Sequence, residues 1–172
     1  MDTKALKPED QARLLIDKKL EQAGWVLQTW PSVNLGESSG IAVREYPTDS
    51  GPADYVLYVD RKPLGVIEAK KDQTILTVHE AQTARYAASK LKWSKQEKPL
   101  GFLFEATGRV IHFTDLRDPA PRSREIFHFF KPETLQQWHS QPESTRYQLH
   151  DNMPALNIDG LRDCQIQAIT GL

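Results

Sequence analysis

Three side chains in the first half of the sequence could hold a divalent cation against a phosphate: Asp54, Glu68 and Lys70. They fall in two strand-like runs, Ala53–Val59 and Pro63–Lys70, joined by Asp60-Arg61-Lys62, which together read as a β-hairpin. With a three-residue turn, Val59 faces Pro63 and Asp54 falls opposite Glu68. Lys70 then lies two residues further along the same face, because strand side chains alternate with a period of two. Directly opposed residues have Cβ atoms about 4.5–5.5 Å apart. Two carboxylates so close repel each other, the more so beside Val56, Leu64 and Val66, and such a pair needs a cation. Mg²⁺ takes oxygen ligands at about 2.0–2.1 Å and can be shared by the two. A lysine beside them can hold or deprotonate a water, or neutralise charge on a phosphate. The metal lowers the pKa of its bound water and stabilises the added charge of a five-coordinate phosphorus. A two-residue turn would put Asp54 and Glu68 on opposite faces and undo the arrangement. The plainer alternative makes Glu68 and Lys70 a surface ion pair and Asp54 a turn residue. Against it, both acids are embedded in apolar β runs, where charge is costly.

The elements around the hairpin follow from spacing. Residues 8–23 read as an amphipathic helix, with Pro8 at its start, Glu9 and Asp10 in the first turn, and Gly24 as its stop. Its apolar stripe is Ala12, Leu15, Ile16, Leu20 and Ala23. Residues 31–52 read as loop interrupted by a short strand around Ile41–Glu45. Thr77–Trp93 reads as a second helix, opened by a Thr77/Glu80 capping box. Leu100–Ala106, Val110–Thr114 and Ile126–Phe130 are further strand candidates, and Phe127, Phe129 and Phe130 read as core residues. The sum is an α/β (α+β) domain with a central mixed sheet flanked by helices on both faces.

Composition narrows the classes. With 22 Lys+Arg against 23 Asp+Glu the formal charge is −1, which excludes a strongly basic protein that grips nucleic acid by charge alone. Residues 61–98 are nevertheless basic, with nine cationic and four anionic side chains, a path a phosphate backbone could follow. No apolar run approaches the roughly 20 residues of a membrane helix. The first residues lead into charged sequence with no secretory signal, and Cys164 is the single cysteine, so the expectation is a soluble cytoplasmic protein with no membrane partner. The five histidines show no paired metal-ligand spacing, and one cysteine excludes a zinc cluster of the multi-cysteine kind.

The stretches Gly51-Pro52-Ala53-Asp54-Tyr55-Val56-Leu57 and Pro63-Leu64-Gly65-Val66-Ile67-Glu68-Ala69-Lys70-Lys71 resemble the PD-(D/E)xK nuclease motif. More narrowly, they resemble the N-terminal nuclease domain of the restriction (R) subunit of type I restriction–modification enzymes, as do Gly40–Thr48 and the opening helix ending in Ala23-Gly24-Trp25. The resemblance covers roughly residues 8–114. The motif's proline stands at Pro52, separated from Asp54 by Ala53. The resemblance implies a PD-(D/E)xK core in which Asp54, Glu68 and the main-chain carbonyl of Ala69 bind Mg²⁺, with Mn²⁺ able to substitute, and Lys70 is catalytic. In the family an acid of the first helix sometimes joins the site, and Glu9 is the candidate. Gln82 and Tyr86, four apart and hence on one helix face, match a Gln-x-x-x-Tyr that in the family supports the site and contacts DNA. On their own the two read as an ordinary helix pairing, and it is their spacing after Glu68-Ala69-Lys70 that favours the site; an amide and a phenol can both donate to phosphate oxygens.

Near the C-terminus, Leu161-Arg162-Asp163-Cys164-Gln165-Ile166-Gln167-Ala168-Ile169 resembles the lead-in to superfamily 2 helicase motors, where the glutamine, here Gln165, contacts adenine. No Gly-x-x-x-x-Gly-Lys follows before Leu172, so the expectation is a chain that stops as the motor begins and does not itself hydrolyse ATP. The expected organisation is a nuclease domain over 1–130, a linker or draped arm over 131–158 and the start of the motor over 159–172. The function implied is Mg²⁺-dependent cleavage of unmethylated double-stranded DNA, with methylation and specificity subunits as partners and ATP needed only by the full-length motor. Two rivals stand beside it: an inactive nuclease-like fold that docks other subunits, and a stand-alone defence or repair nuclease of the same superfold.

Overall fold

The opening helix ends because Gly24 can take a left-handed conformation, with φ of 90°. The Gly24 N–H donates to Glu21 O and the Trp25 N–H to Leu20 O, each at 3.0 Å. These bonds satisfy two of the last helical carbonyls in a Schellman turn and bring Trp25 back onto the helix's own apolar face. A computed structural model describes residues 8–49, 51–70, 100–151 and 156–170, with side chains from residue 11 onward. The helix, α1, spans Pro8–Gln22. Ala12, Ile16, Leu20 and Ala23 are buried as the periodicity predicts, but Leu15 lies off the stripe and is exposed.

Among the described residues seven strands form one sheet in sequence order: β1 (Val26–Thr29), β2 (Gly40–Thr48), β3 (Gly51–Val59), β4 (Lys62–Ala69), β5 (Phe102–Ala106), β6 (Ile111–Asp115) and β7 (Arg124–Ile126). β1 and β2 are parallel, as are β4 and β5; the other neighbours are antiparallel, so the sheet is mixed. Both faces are buried. One carries Tyr55, Leu57, Ile67, Phe102, Phe104 and Phe113 under α1. The other carries Val43, Tyr46, Val56, Tyr58 and Val66, with Trp30, Val33 and Leu35 of the loop after β1 packed on it. Burial on both sides explains the near-continuous apolar runs of β3 and β4.

The hairpin turn corrects the sequence reading and at the same time preserves its consequence. The turn has two residues, not three: Val59 pairs with Lys62, and Asp60 and Arg61 both have positive φ (45° and 66°). Such a turn matches the right-handed twist of the flanking strands. By itself it would have put the two acids on opposite faces. A β-bulge restores the parity: Tyr58 pairs with Pro63 but Leu57 with Gly65, leaving Leu64 as an extra residue on β4. Val56 then opposes Val66 and Tyr55 opposes Ile67, so the ladder's next step brings Asp54 to Glu68.

Three further strand expectations change. β2 is longer than Ile41–Glu45, and β1 was not anticipated. The last strand is Arg124–Ile126 in place of Ile126–Phe130, because Ile126 pairs with Ile111, the first residue of β6, and the chain then runs past the end of its partner. Freed from the ladder, Phe127 is 95 % exposed, contrary to its reading as core, whereas Phe129 is buried. Phe129 and Phe130 join Phe102, Phe104, Phe113 and Trp138 in an aromatic cluster with ring centroids 4.8–6.3 Å apart.

Pro132–Ser140, inside the stretch read as a linker or draped arm, is a helix, α2, with proline in its first turn. Leu135 is fully buried, and Trp138 packs on the face that also holds α1. The Trp25 indole N–H donates to Phe130 O at 2.9 Å, and Gln136 Nε2 donates to Asp60 Oδ2 at the hairpin turn. Gly40 allows this docking: a Cβ there would lie 2.1 Å from Pro132 Cγ. Two exposed helices follow, α3 (Thr145–Asp151) and α4 (Asp163–Thr170). Gln165 Oε1 accepts the Arg162 N–H at 2.9 Å and so caps the start of α4. The expected second helix, Thr77–Trp93, lies outside the described residues.

Candidate active site

Where the β3–β4 ladder ends, side chains take over its hydrogen bonding. Asp54 Oδ2 accepts the Ala69 N–H at 2.9 Å, and the Lys70 N–H turns to the opposite neighbour, donating to Ala106 O at 2.7 Å. The Asp54 carboxylate therefore bridges the parting strands at the point where Glu68, Ala69 and Lys70 follow one another. Lys70 Nζ lies 2.7 Å from Glu68 Oε1, and both side chains are largely buried. Burial pushes the Glu68 carboxyl above its ordinary pKa; the Lys70 ammonium opposes that shift, and the charges of Asp54 and Glu105 add to it. Asp54, Glu68 and Lys70 thus form one electrostatic unit, and the trio read from the sequence comes together.

Asp54 also has a cation, which the sequence reading did not foresee. Arg13 of α1 places Nη2 2.5 Å from Asp54 Oδ1 and Nη1 3.3 Å from Glu45 Oε1. Burial works against the Arg13 charge, but Asp54 first and Glu45 after it outweigh that effect and raise its pKa. One helical turn on, Asp17 accepts from the Tyr55 hydroxyl at 2.8 Å and pairs with Arg44 at 2.8 Å. Burial and the neighbouring Asp17 carboxylate push the Tyr55 phenol far above its usual value. These six side chains line a cavity of about 140 Å³ beside Asp54. Arg13 could have been suspected from its place four residues before Asp17, on a polar seam beside the apolar stripe.

Glu105 was also missed. It sits in the apolar run Phe102-Leu103-Phe104-Glu105-Ala106, is 3 % exposed, and pairs with Glu68 across the parallel β4–β5 ladder. The signal that singled out Glu68, a charge embedded in an apolar strand, was present at Glu105 as well.

Of the other expected site residues, Gln82 and Tyr86 lie outside the described residues, and Glu9 belongs to α1 with its side chain not described. Among the described residues no group of three or more His, Cys, Asp or Glu is arranged to hold a metal. The donors present at the pair are two carboxylates, oxygen ligands of the kind a hard cation prefers. A carboxylate offers about four lone-pair sites. Asp54 uses one on each oxygen and Glu68 one on Oε1 in the contacts above, so the donors fit Mg²⁺.

Residues 32–108 match the family model for the second domain of the EcoKI endonuclease subunit, a type I restriction enzyme. That stretch of the chain is thus similar to a domain of the type I endonuclease subunits. The matched residues contain β2 to β5 and the whole Asp54–Glu68–Lys70 unit. A curated relative, the type I restriction enzyme EcoKI endonuclease subunit of Escherichia coli (strain K12), is 27 % identical over 216 aligned positions, covering 94 % of this chain and 18 % of that protein. The chain also shares its fold with a fragment of a putative HsdR subunit of a type I restriction enzyme from Vibrio vulnificus YJ016. The TM-score is 0.56 and the identity 21 %, over 78 % of this chain and 25 % of that one. The chain thus spans a quarter or less of the length of these relatives. Among the described residues no helix is long and apolar enough to cross a membrane.

Proposed function

We propose that this domain is the PD-(D/E)xK-type nuclease unit of a type I restriction subunit, cleaving phosphodiester bonds of double-stranded DNA with Mg²⁺. The observation that carries the reading is the convergence of Asp54, Glu68 and Lys70 at the splayed end of two neighbouring strands. Asp54, Glu68 and the Ala69 carbonyl would hold Mg²⁺, or Mn²⁺ in its place. The bound ion would supply Lewis-acid stabilisation of the pentacoordinate phosphorus. Lys70 then orients the attacking water and takes up its proton or offsets phosphate charge, and Gln82 and Tyr86 hold the strand. The Ala69 N–H fixes Asp54, and in this reading Glu68 would exchange its Lys70 partner for the metal. Unmethylated DNA as the target, and methylation and specificity subunits as partners, belong to the same reading. So does the division into a nuclease domain (1–130), a following stretch (131–158) whose first helix, α2, docks on that domain, and the start of an ATP-driven motor (159–172), in a cytoplasmic enzyme.

One observation favours a second reading, the docking fold without catalysis: both carboxylates already have a cationic partner, Arg13 and Lys70. The experiment that decides between them replaces Asp54, Glu68 or Lys70 with Ala in the full assembly. The nuclease reading expects cleavage to fall by at least about a hundredfold, as loss of a general acid–base or charge-stabilising group does, with ATP hydrolysis unchanged. Wild-type cleavage in any of the three would overturn it.

A further inference from the structure

The charge around Asp54 is divided into a fixed part and a movable part. Asp17 is pinned from two sides by Arg44 and the Tyr55 hydroxyl, which anchors α1 to the sheet. Arg13, one turn earlier, is not pinned in this way. Its guanidinium is shared between Asp54 and Glu45, and its side chain is 42 % exposed. Glu45 is itself unusual: it has φ of 53° inside β2 and drops out of the ladder between the pairs Arg44–Tyr55 and Tyr46–Ala53. That leaves it across from Asp54, in a left-handed conformation costly for a side chain with a Cβ, which the surrounding sheet imposes. The result is a second carboxylate at the guanidinium, next to the one a metal needs.

We infer that Arg13 is a positioning residue that sets the affinity of the site for a divalent cation. It occupies Asp54 as a built-in competitor, and Glu45 is the carboxylate that keeps it when a cation takes its place. This rests on the metal reading above and adds to it the residue against which a metal must compete. The two carboxylates have opposite effects on the competition. Without Arg13, Asp54 needs no exchange of partners. Without Glu45, the guanidinium has only Asp54 and is harder to displace. An ion pair with one exposed member is worth about fivefold in an equilibrium constant.

The test is calorimetric titration of Mn²⁺ and Mg²⁺ into the wild-type chain, Arg13→Gln and Glu45→Gln at about 0.15 M salt, where exposed charges further apart than about 8 Å are largely screened. Thermal unfolding without metal serves as the folding control. The expected result is about fivefold tighter binding by Arg13→Gln and weaker binding by Glu45→Gln. A merely structural Arg13 would leave the dissociation constant unchanged or weaken binding on loss of its contacts, and either result overturns the proposal. So does Glu45→Gln binding as tightly as wild type or more so. Binding by all three chains with equal constants sinks the competitor alone, whereas no binding by any of them sinks the metal reading and the competitor with it.

Discussion

Replacing Lys70 with Met isolates the electrostatics of the candidate site from its shape. Methionine retains most of the apolar stem and removes the ammonium that lies 2.7 Å from Glu68 Oε1. The wild-type Glu68 carboxyl is already raised by burial despite Lys70, so losing the lysine raises it further. The sign follows from proton counting. A carboxyl with a raised folded pKa binds more protons folded than unfolded, so stability falls as pH rises from the unfolded value of 4.5 through the folded one. In Lys70→Met that window extends further upward. The variant's deficit is therefore small at about pH 4, where Glu68 is protonated in both chains, grows through the window, and levels off above the variant's pKa. A buried hydrogen bond to a charged group contributes about 1.5–3 kcal/mol. Both partners are less than a fifth exposed, so solvent screening takes little of that away. For a chain of 172 residues each kcal/mol moves the melting temperature by roughly 2–4 °C. The melting point should thus drop by about 3–12 °C at pH 8 and by far less at pH 4. Thermal unfolding followed by circular dichroism across that range reads the difference directly. A deficit of the same size at both ends would show that Glu68 and Lys70 are not coupled through charge, and the electrostatic account of the site would fail.

Two more outcomes test the scaffold. Arg61→Gly relieves a positive φ in the two-residue turn and should stabilise the fold by about 0.5–1 kcal/mol in chemical denaturation; a loss of stability would mean that the turn is not of this type. Leu135→Ala should cost about 2–5 kcal/mol, since Leu135 is fully buried among the core residues, whereas a loss below about 1 kcal/mol would place α2 outside the cooperative unit.

The acids at the site could be read from the sequence because burial made them anomalous: charge inside an apolar strand stands out with no knowledge of pairing. Register could not be read so directly. The turn length and the Leu64 bulge each invert the faces, and only their combination returns Asp54 to Glu68; the sequence reading reached the right pairing through a turn one residue too long. Arg13 escaped notice because an arginine on a surface helix looks the same whether it meets solvent or a carboxylate forty-one residues away. β1 was missed because a four-residue edge strand with half-buried side chains, Val-Leu-Gln-Thr, has little periodicity to detect. Phe127 was misassigned because composition does not reveal where β6 ceases to offer a partner.

The order of the strands has one more consequence. Among the described residues the sheet begins and ends with its shortest members, β1 of four residues and β7 of three, and the long strands all lie between them. Free backbone donors and acceptors at a sheet margin invite another chain to add itself there, and brevity limits that hazard. β7 adds Arg124 and Glu125, charged and exposed, to an already short margin. Two such margins give a neighbouring copy little length on which to zip, so the described strands offer short templates for β-type self-association.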